Sequence, residues 1–134
     1  MPSKIFVNFP VKDLDKSIAF FTKLGFTFNP KFTNQQATCM ILGENIFAML
    51  LVEPFFKTFI KKSISDATRS TEVITALAVD SKEQVNDIVD KALVVGGKVS
   101  NETSDQGGMY TRSFQDLDGH LWEICYMDPN TTPQ

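Results

Sequence analysis

The stretch SFQDLDGHLWEICY, Ser113 to Tyr126, decides how the chain is read. Two apolar runs flank Asp116-Leu117-Asp118-Gly119, a tight turn with glycine where a positive φ is expected. Alternation along the second run puts Leu121, Glu123 and Cys125 on one face of a strand. Trp122, Ile124 and Tyr126 fall on the other. The stretch holds the only histidine of the chain, His120, and the only tryptophan. It also sets a glutamate, Glu123, in the middle of an apolar strand, where a carboxylate needs a hydrogen-bond partner, water or a ligand.

Working upstream, Tyr110–Phe114 reads as the partner strand of this hairpin, with Thr111 and Ser113 on one face and Arg112 on the other. Ser104–Met109 reads as a loop and Lys98–Ser100 as a short strand. Ser81-Lys82-Glu83-Gln84 has the form of a capping box. The helix behind it carries Val85, Ile88, Val89, Ala92 and Leu93 on one side and ends at Gly96-Gly97. Before it, Glu72–Val79 alternates as a strand.

The first half repeats this plan. Lys4–Val11 alternates, with Phe6, Asn8 and Pro10 opposite Ile5, Val7, Phe9 and Val11. A helix follows in DLDKSIAFFTKLGF. It is capped by Asp13 or Asp15, carries Leu14, Ile18, Phe21 and Leu24 on one face and ends at Gly25. Phe26–Phe32, Ala37–Leu42 and Ile46–Val52 read as three strands. The pattern of strand, helix and three strands therefore occurs twice, offset by about 70 residues. Between the copies, PFFKTFIKK reads as a short helix, with Phe55, Phe56, Phe59 and Ile60 on one face and Lys57, Lys61 and Lys62 on the other.

A chain of 134 residues, 43% hydrophobic and 22% charged, suits one globular domain. The net charge of −3 and the lack of any basic run longer than Lys61-Lys62 argue against nucleic-acid binding. The opening MPSKIFVNFPV is broken by Asn8 and Pro10, so it reads as neither a signal peptide nor a membrane span. Cys39 and Cys125 fit no metal or redox motif and read as reduced packing residues of a cytoplasmic protein. A single histidine excludes any site that needs two from one chain.

Two βαβββ units closed by a DxDGHxWE stretch resemble the glyoxalase/bleomycin-resistance/extradiol-dioxygenase superfamily, the vicinal oxygen chelate (VOC) proteins. The resemblance spans nearly the whole chain. It is carried most specifically by VKDLDKSIAFFTKLGF and RSFQDLDGHLWEI. It implies an α+β fold in which two tandem βαβββ units form a cup from curved mixed sheets, with helices on the convex side. The units would be residues 1–53 and 71–128, with a connector at 54–70, in one VOC domain over residues 1–134.

The resemblance also implies a metal held by the first and last strands of each unit. Glu123 matches the family's ligating glutamate. The first-strand position falls on Phe6 and the fifth-strand position on Ile74. The fourth-strand position falls among Ala48, Met49, Leu50 and Leu51. Three of four ligand positions are therefore occupied by side chains without a donor, and no metal or other cofactor is expected.

The expected pocket residues are Phe6, Asn8, Ile74, Ala76, Thr111, Ser113, Leu121, Glu123 and Cys125, with Ala78 beside them. They form apolar walls with a few convergent polar groups, the usual make-up of a small-molecule site. The expected function is binding of a small apolar or aromatic molecule by a homodimer, as the resemblance implies, with no nucleic-acid or membrane partner. The alternative is a lyase or isomerase of the lactoylglutathione lyase type, using a weakly held metal or Glu123 as base. A third reading is a dimeric scaffold with a vestigial pocket.

Overall fold

A computed structural model describes residues 1–130. The chain forms two compact units, Met1–Asp66 and Ala67–Gln134.

In the first unit the elements are β1 (Ile5–Val11), α1 (Leu14–Lys23), β2 (Thr27–Asn29), β3 (Ala37–Gly43), β4 (Ile46–Val52) and the short helix α2 (Glu53–Lys57). The strands make one mixed sheet in the order β1-β4-β3-β2, with β1 parallel to β4 and the other pairs antiparallel. Asp13 caps α1 by accepting a hydrogen bond from the Lys16 backbone N–H at 3.1 Å. The helix buries Leu14, Ser17, Phe20 and Phe21, with Leu24 just beyond its end. Phe9, Val11, Met40, Ala48 and Leu50 are the buried sheet residues on the other side of this core. Instead of one strand over Phe26–Phe32, a three-residue strand runs into a 3-10 turn at Pro30–Phe32. Proline has no N–H to offer the ladder, and Asn29 accepts from the Lys31 N–H to start the turn.

The second unit has β5 (Ile74–Ala78), α3 (Lys82–Val94), β6 (Lys98–Val99), β7 (Ser104–Gln106), β8 (Met109–Gln115) and β9 (Leu121–Met127). The order is β5-β9-β8-β6, with β7 also pairing β8. β5 runs parallel to β9, as β1 does to β4. The expected repeat is present, with one strand more than the sequence suggested. The segment read as a loop is a tight hairpin, turned by Gly107 and Gly108, both at positive φ. Ser81 accepts from the Gln84 N–H at 3.1 Å, and the Gln84 side chain accepts from the Asp80 N–H at 2.8 Å. Val85, Val89 and Ala92 of α3 are buried, as are Phe114, Trp122 and Ile124, and the rings of Phe114 and Trp122 stack at 6.5 Å.

The expected cup is not formed. Both sheets are open, and neither is closed or strongly curled. Closing a sheet requires strands long enough to keep their pairing while they tilt and stagger. Here the outer strands β2, β6 and β7 have only two or three residues each. Each unit therefore offers an open sheet with a helix over one face. Among the described residues no helix is long and apolar enough to cross a membrane.

Candidate functional site

The face of the second sheet away from α3 is where the candidate residues meet. Strand register builds it row by row. Ala76 pairs with Glu123, and Glu123 with Ser113. On one side of this row, Ile74 pairs with Leu121 and Leu121 with Gln115. On the other, Ala78 pairs with Cys125 and Cys125 with Thr111. Seven of the nine expected pocket residues thus share one face. Phe6 and Asn8 lie on the corresponding face of the first sheet, where Phe6 pairs with Phe47 and Asn8 with Met49. The Phe6 and Phe47 rings stack there at 5.0 Å, and Phe6 is 51% exposed.

These faces break the usual rule. A sheet covered on one side normally alternates apolar residues inward with polar residues outward. On the second sheet the outward face keeps Ile74, Ala76, Ala78, Leu121 and Cys125 among the polar Glu123, Ser113, Thr111 and Gln115. Trp122 and Ile124 are buried toward α3, yet Ile74 on the opposite face is 53% exposed and Ala76 and Ala78 are exposed beside it.

Glu123 sits half-buried in the central row. Among the described residues its carboxylate accepts no hydrogen bond and joins no ion pair. Ser113 is not available to it as a fixed donor: its hydroxyl lies 3.4 Å from the Asn101 carbonyl oxygen and accepts from the Asn101 N–H at 2.9 Å. The Cys125 thiol is pushed up from its ordinary value, first by burial and then by the charge of Glu123. Burial likewise raises Cys39. Both cysteines are therefore poor thiolates.

A second carboxylate, Asp116, has the opposite setting and was read from the sequence only as a turn residue. It is 6% exposed. One oxygen accepts from the backbone N–H groups of Asp118 and His120 at 2.9 and 3.0 Å, and the other accepts from the Trp122 indole N–H at 3.0 Å. Burial raises its pKa, opposed by the charge of His120 and by these hydrogen bonds. Gly119 completes the turn at φ +90°, and a Cβ there would lie 2.8 Å from the Ala67 carbonyl oxygen. The one available signal was spacing: an aspartate three residues before a glycine and six before a buried tryptophan.

Arg112, on the helix side, donates to Asp90 at 2.8 Å and to Asn86 at 3.0 Å, and Tyr110 donates to the same Asn86 oxygen at 2.6 Å. It ties β8 to α3. In the connector, Phe55 and Phe59 meet edge to face, but Phe59 is 67% exposed and does not share the half-buried setting of Phe55, Phe56 and Ile60. The helix is only five residues long, so the expected common face is not maintained.

The residues present do not fit the family's metal. Among the described residues, no three of His, Cys, Asp and Glu are grouped so as to hold an ion. The neighbours of Glu123 on its face, Ser113 in the same row and Cys125 and Thr111 in the next, supply hydroxyls and a thiol but no second carboxylate or imidazole. Phe6 and Ile74 occupy positions that would have to supply donors. His120 contacts Asp116 in the turn instead.

The paired βαβββ topology defines a class of fold, and known proteins share it. Residues 5–43 match the model of the bleomycin resistance protein-like N-terminal family. A hypothetical protein from S. aureus is 30% identical, with 94% of this chain and 95% of that one covered and a TM-score of 0.79. A glyoxalase/bleomycin resistance protein/dioxygenase family enzyme from Burkholderia phytofirmans shares the fold at 16% identity, covering 91% and 96% of the two chains with a TM-score of 0.74. So does a fosfomycin resistance protein from Listeria monocytogenes, at 17% identity, 96% of each chain and a TM-score of 0.68. No curated protein matches the chain. The chain shares the fold of glyoxalase/bleomycin-resistance proteins, with a family match over residues 5–43, and among the described residues it lacks a group that could hold a metal.

Proposed function

We propose that the open face of the second sheet binds a small, largely apolar or aromatic molecule without a metal. The observation that supports this most is the exposed apolar edge of that face, where Ile74 is 53% exposed and Ala76 and Ala78 are exposed beside it. Exposed apolar surface of this kind commonly marks a binding site. A small molecule suits it better than an apolar protein surface, because Glu123 stands in the middle. A flat protein partner would bury that carboxylate without a partner, which is costly. The small side chains of Ala76 and Ala78 leave room above the sheet, while Ile74 and Leu121 supply an apolar wall. A homodimer belongs to the same reading, on the strength of the family alone.

Amide NMR shifts on addition of 2-naphthalenemethanol test the proposal. The expected result is saturable movement of Ala76, Ser113, Leu121, Glu123 and Cys125. Ala76→Trp, on an exposed edge-strand position that favours aromatic residues, should weaken that binding by about tenfold or more with the fold intact. Shifts confined to other surfaces would overturn the proposal. So would broadening of these amides that grows with protein concentration and ignores the ligand, since a second copy would then cover the face.

A further inference from the structure

Resting on the reading just given, we infer that the ligand of this face carries a cationic nitrogen, a protonated amine or amidinium, seated on Glu123 beside an apolar body. Four observations support this. First, Glu123 is the sole carboxylate on this face of the sheet: the other face positions of β5, β8 and β9 are apolar or uncharged. Secondly, its oxygens accept no hydrogen bond and join no ion pair among the described residues, so the acceptor capacity of a half-buried carboxylate is unused.

Thirdly, the neighbouring groups do not substitute for a ligand. Ser113 is engaged with Asn101, and Cys125 carries no positive charge in either protonation state, so neither neutralises the charge. Ala76, across the strand pair, is too short to contact it with anything polar. The nearest cation on this face is Lys98 at the β6 edge, two strands and one row away. Ordinary strand spacing makes that about 12 Å between Cα positions, and among the described residues no ion pair joins the two side chains. Fourthly, Ile74, Ala76, Ala78 and Leu121 give the β5 side of Glu123 an apolar lining, and an ammonium or amidinium donating to a carboxylate beside it makes a stronger hydrogen bond than a neutral donor does.

An isosteric pair tests the inference and separates it from the broader proposal. 2-Naphthylmethylamine and 2-naphthalenemethanol have the same apolar body and differ in the charge of the donor. The amine should bind about tenfold or more tightly than the alcohol, the size of a charge-assisted hydrogen bond against a neutral one. Glu123→Gln should abolish the amine's advantage over the alcohol, and added salt should weaken the amine alone. Equal affinities in the native protein would overturn the inference while leaving the binding face in place. An amine preference that persists in Glu123→Gln would overturn it as well, since the cation would then sit elsewhere. If neither compound moves these amides, the inference and the proposed function fall together.

Discussion

Asp116 and Glu123 stand seven residues apart in one hairpin and have opposite surroundings. Asp116 is 6% exposed and saturated: two backbone N–H groups and an indole N–H converge on it. Glu123 is half-buried and accepts from nothing among the described residues. The first carboxylate holds the turn and the core tryptophan in one arrangement. The second contributes nothing visible to the fold, and its cost must be met by solvent or by a bound molecule. The contrast teaches that burial alone does not sort structural from functional carboxylates. What sorts them is whether the fold itself supplies the donors.

The strongest way to break this comparison is to delete the saturated member. Asp116→Ala leaves three donors without their acceptor, two of them in the turn and one on a buried indole. A loss of about 3 kcal/mol or more is expected in urea unfolding. A loss below about 1 kcal/mol would show that water replaces the carboxylate without penalty and that the turn does not depend on it.

A milder probe uses pH. Because burial raises Asp116 above the ordinary carboxyl value of 3.8, its titration adds stability that is full below that value. That contribution is lost as pH rises through the higher folded value. Asp116→Asn cannot titrate. The stability gap between native protein and variant should therefore be widest at acid pH and narrow toward neutrality. A gap that widens with rising pH would mean that the hydrogen bonds and His120 outweigh burial.

The smallest expected effect sharpens the other side. Glu123→Gln keeps shape and removes charge at a site with no partner, so stability should change by no more than about 0.5 kcal/mol. A loss of about 2 kcal/mol would show that Glu123 is structural after all.

Much of the architecture was legible before any coordinates. Period-two alternation placed Trp122 and Ile124 opposite Glu123 and Cys125, and strand register agrees. The Ser81–Gln84 box marked the start of α3, and of the two cap candidates for α1, Asp13 and Asp15, the structure uses Asp13; caps are legible because they are contacts between residues close in sequence. The failures share a cause. In α1, Phe20 and Ser17 are buried alongside Leu14 and Phe21, while Ile18 is only half-buried, because the packing sheet selects the stripe. The β7 strand was missed because Ser104-Asp105-Gln106 has no apolar alternation, and only its pairing with β8 makes it a strand.

By itself the sequence determined the order of the helices and of the longer strands, the internal repeat and the two faces of each strand, which follow from local periodicity. The loss of three metal-ligand positions follows from the resemblance to the family, set against the residue types at Phe6, Ile74 and the stretch Ala48 to Leu51. Tertiary structure alone decided that the sheets stay open, that Asp116 gathers the donors of its hairpin, and that Glu123 is left without one. Sheet curl depends on how far short edge strands can pair. Satisfaction of a polar group depends on which distant atoms pack within about 3 Å of it, and neither is encoded in a spacing.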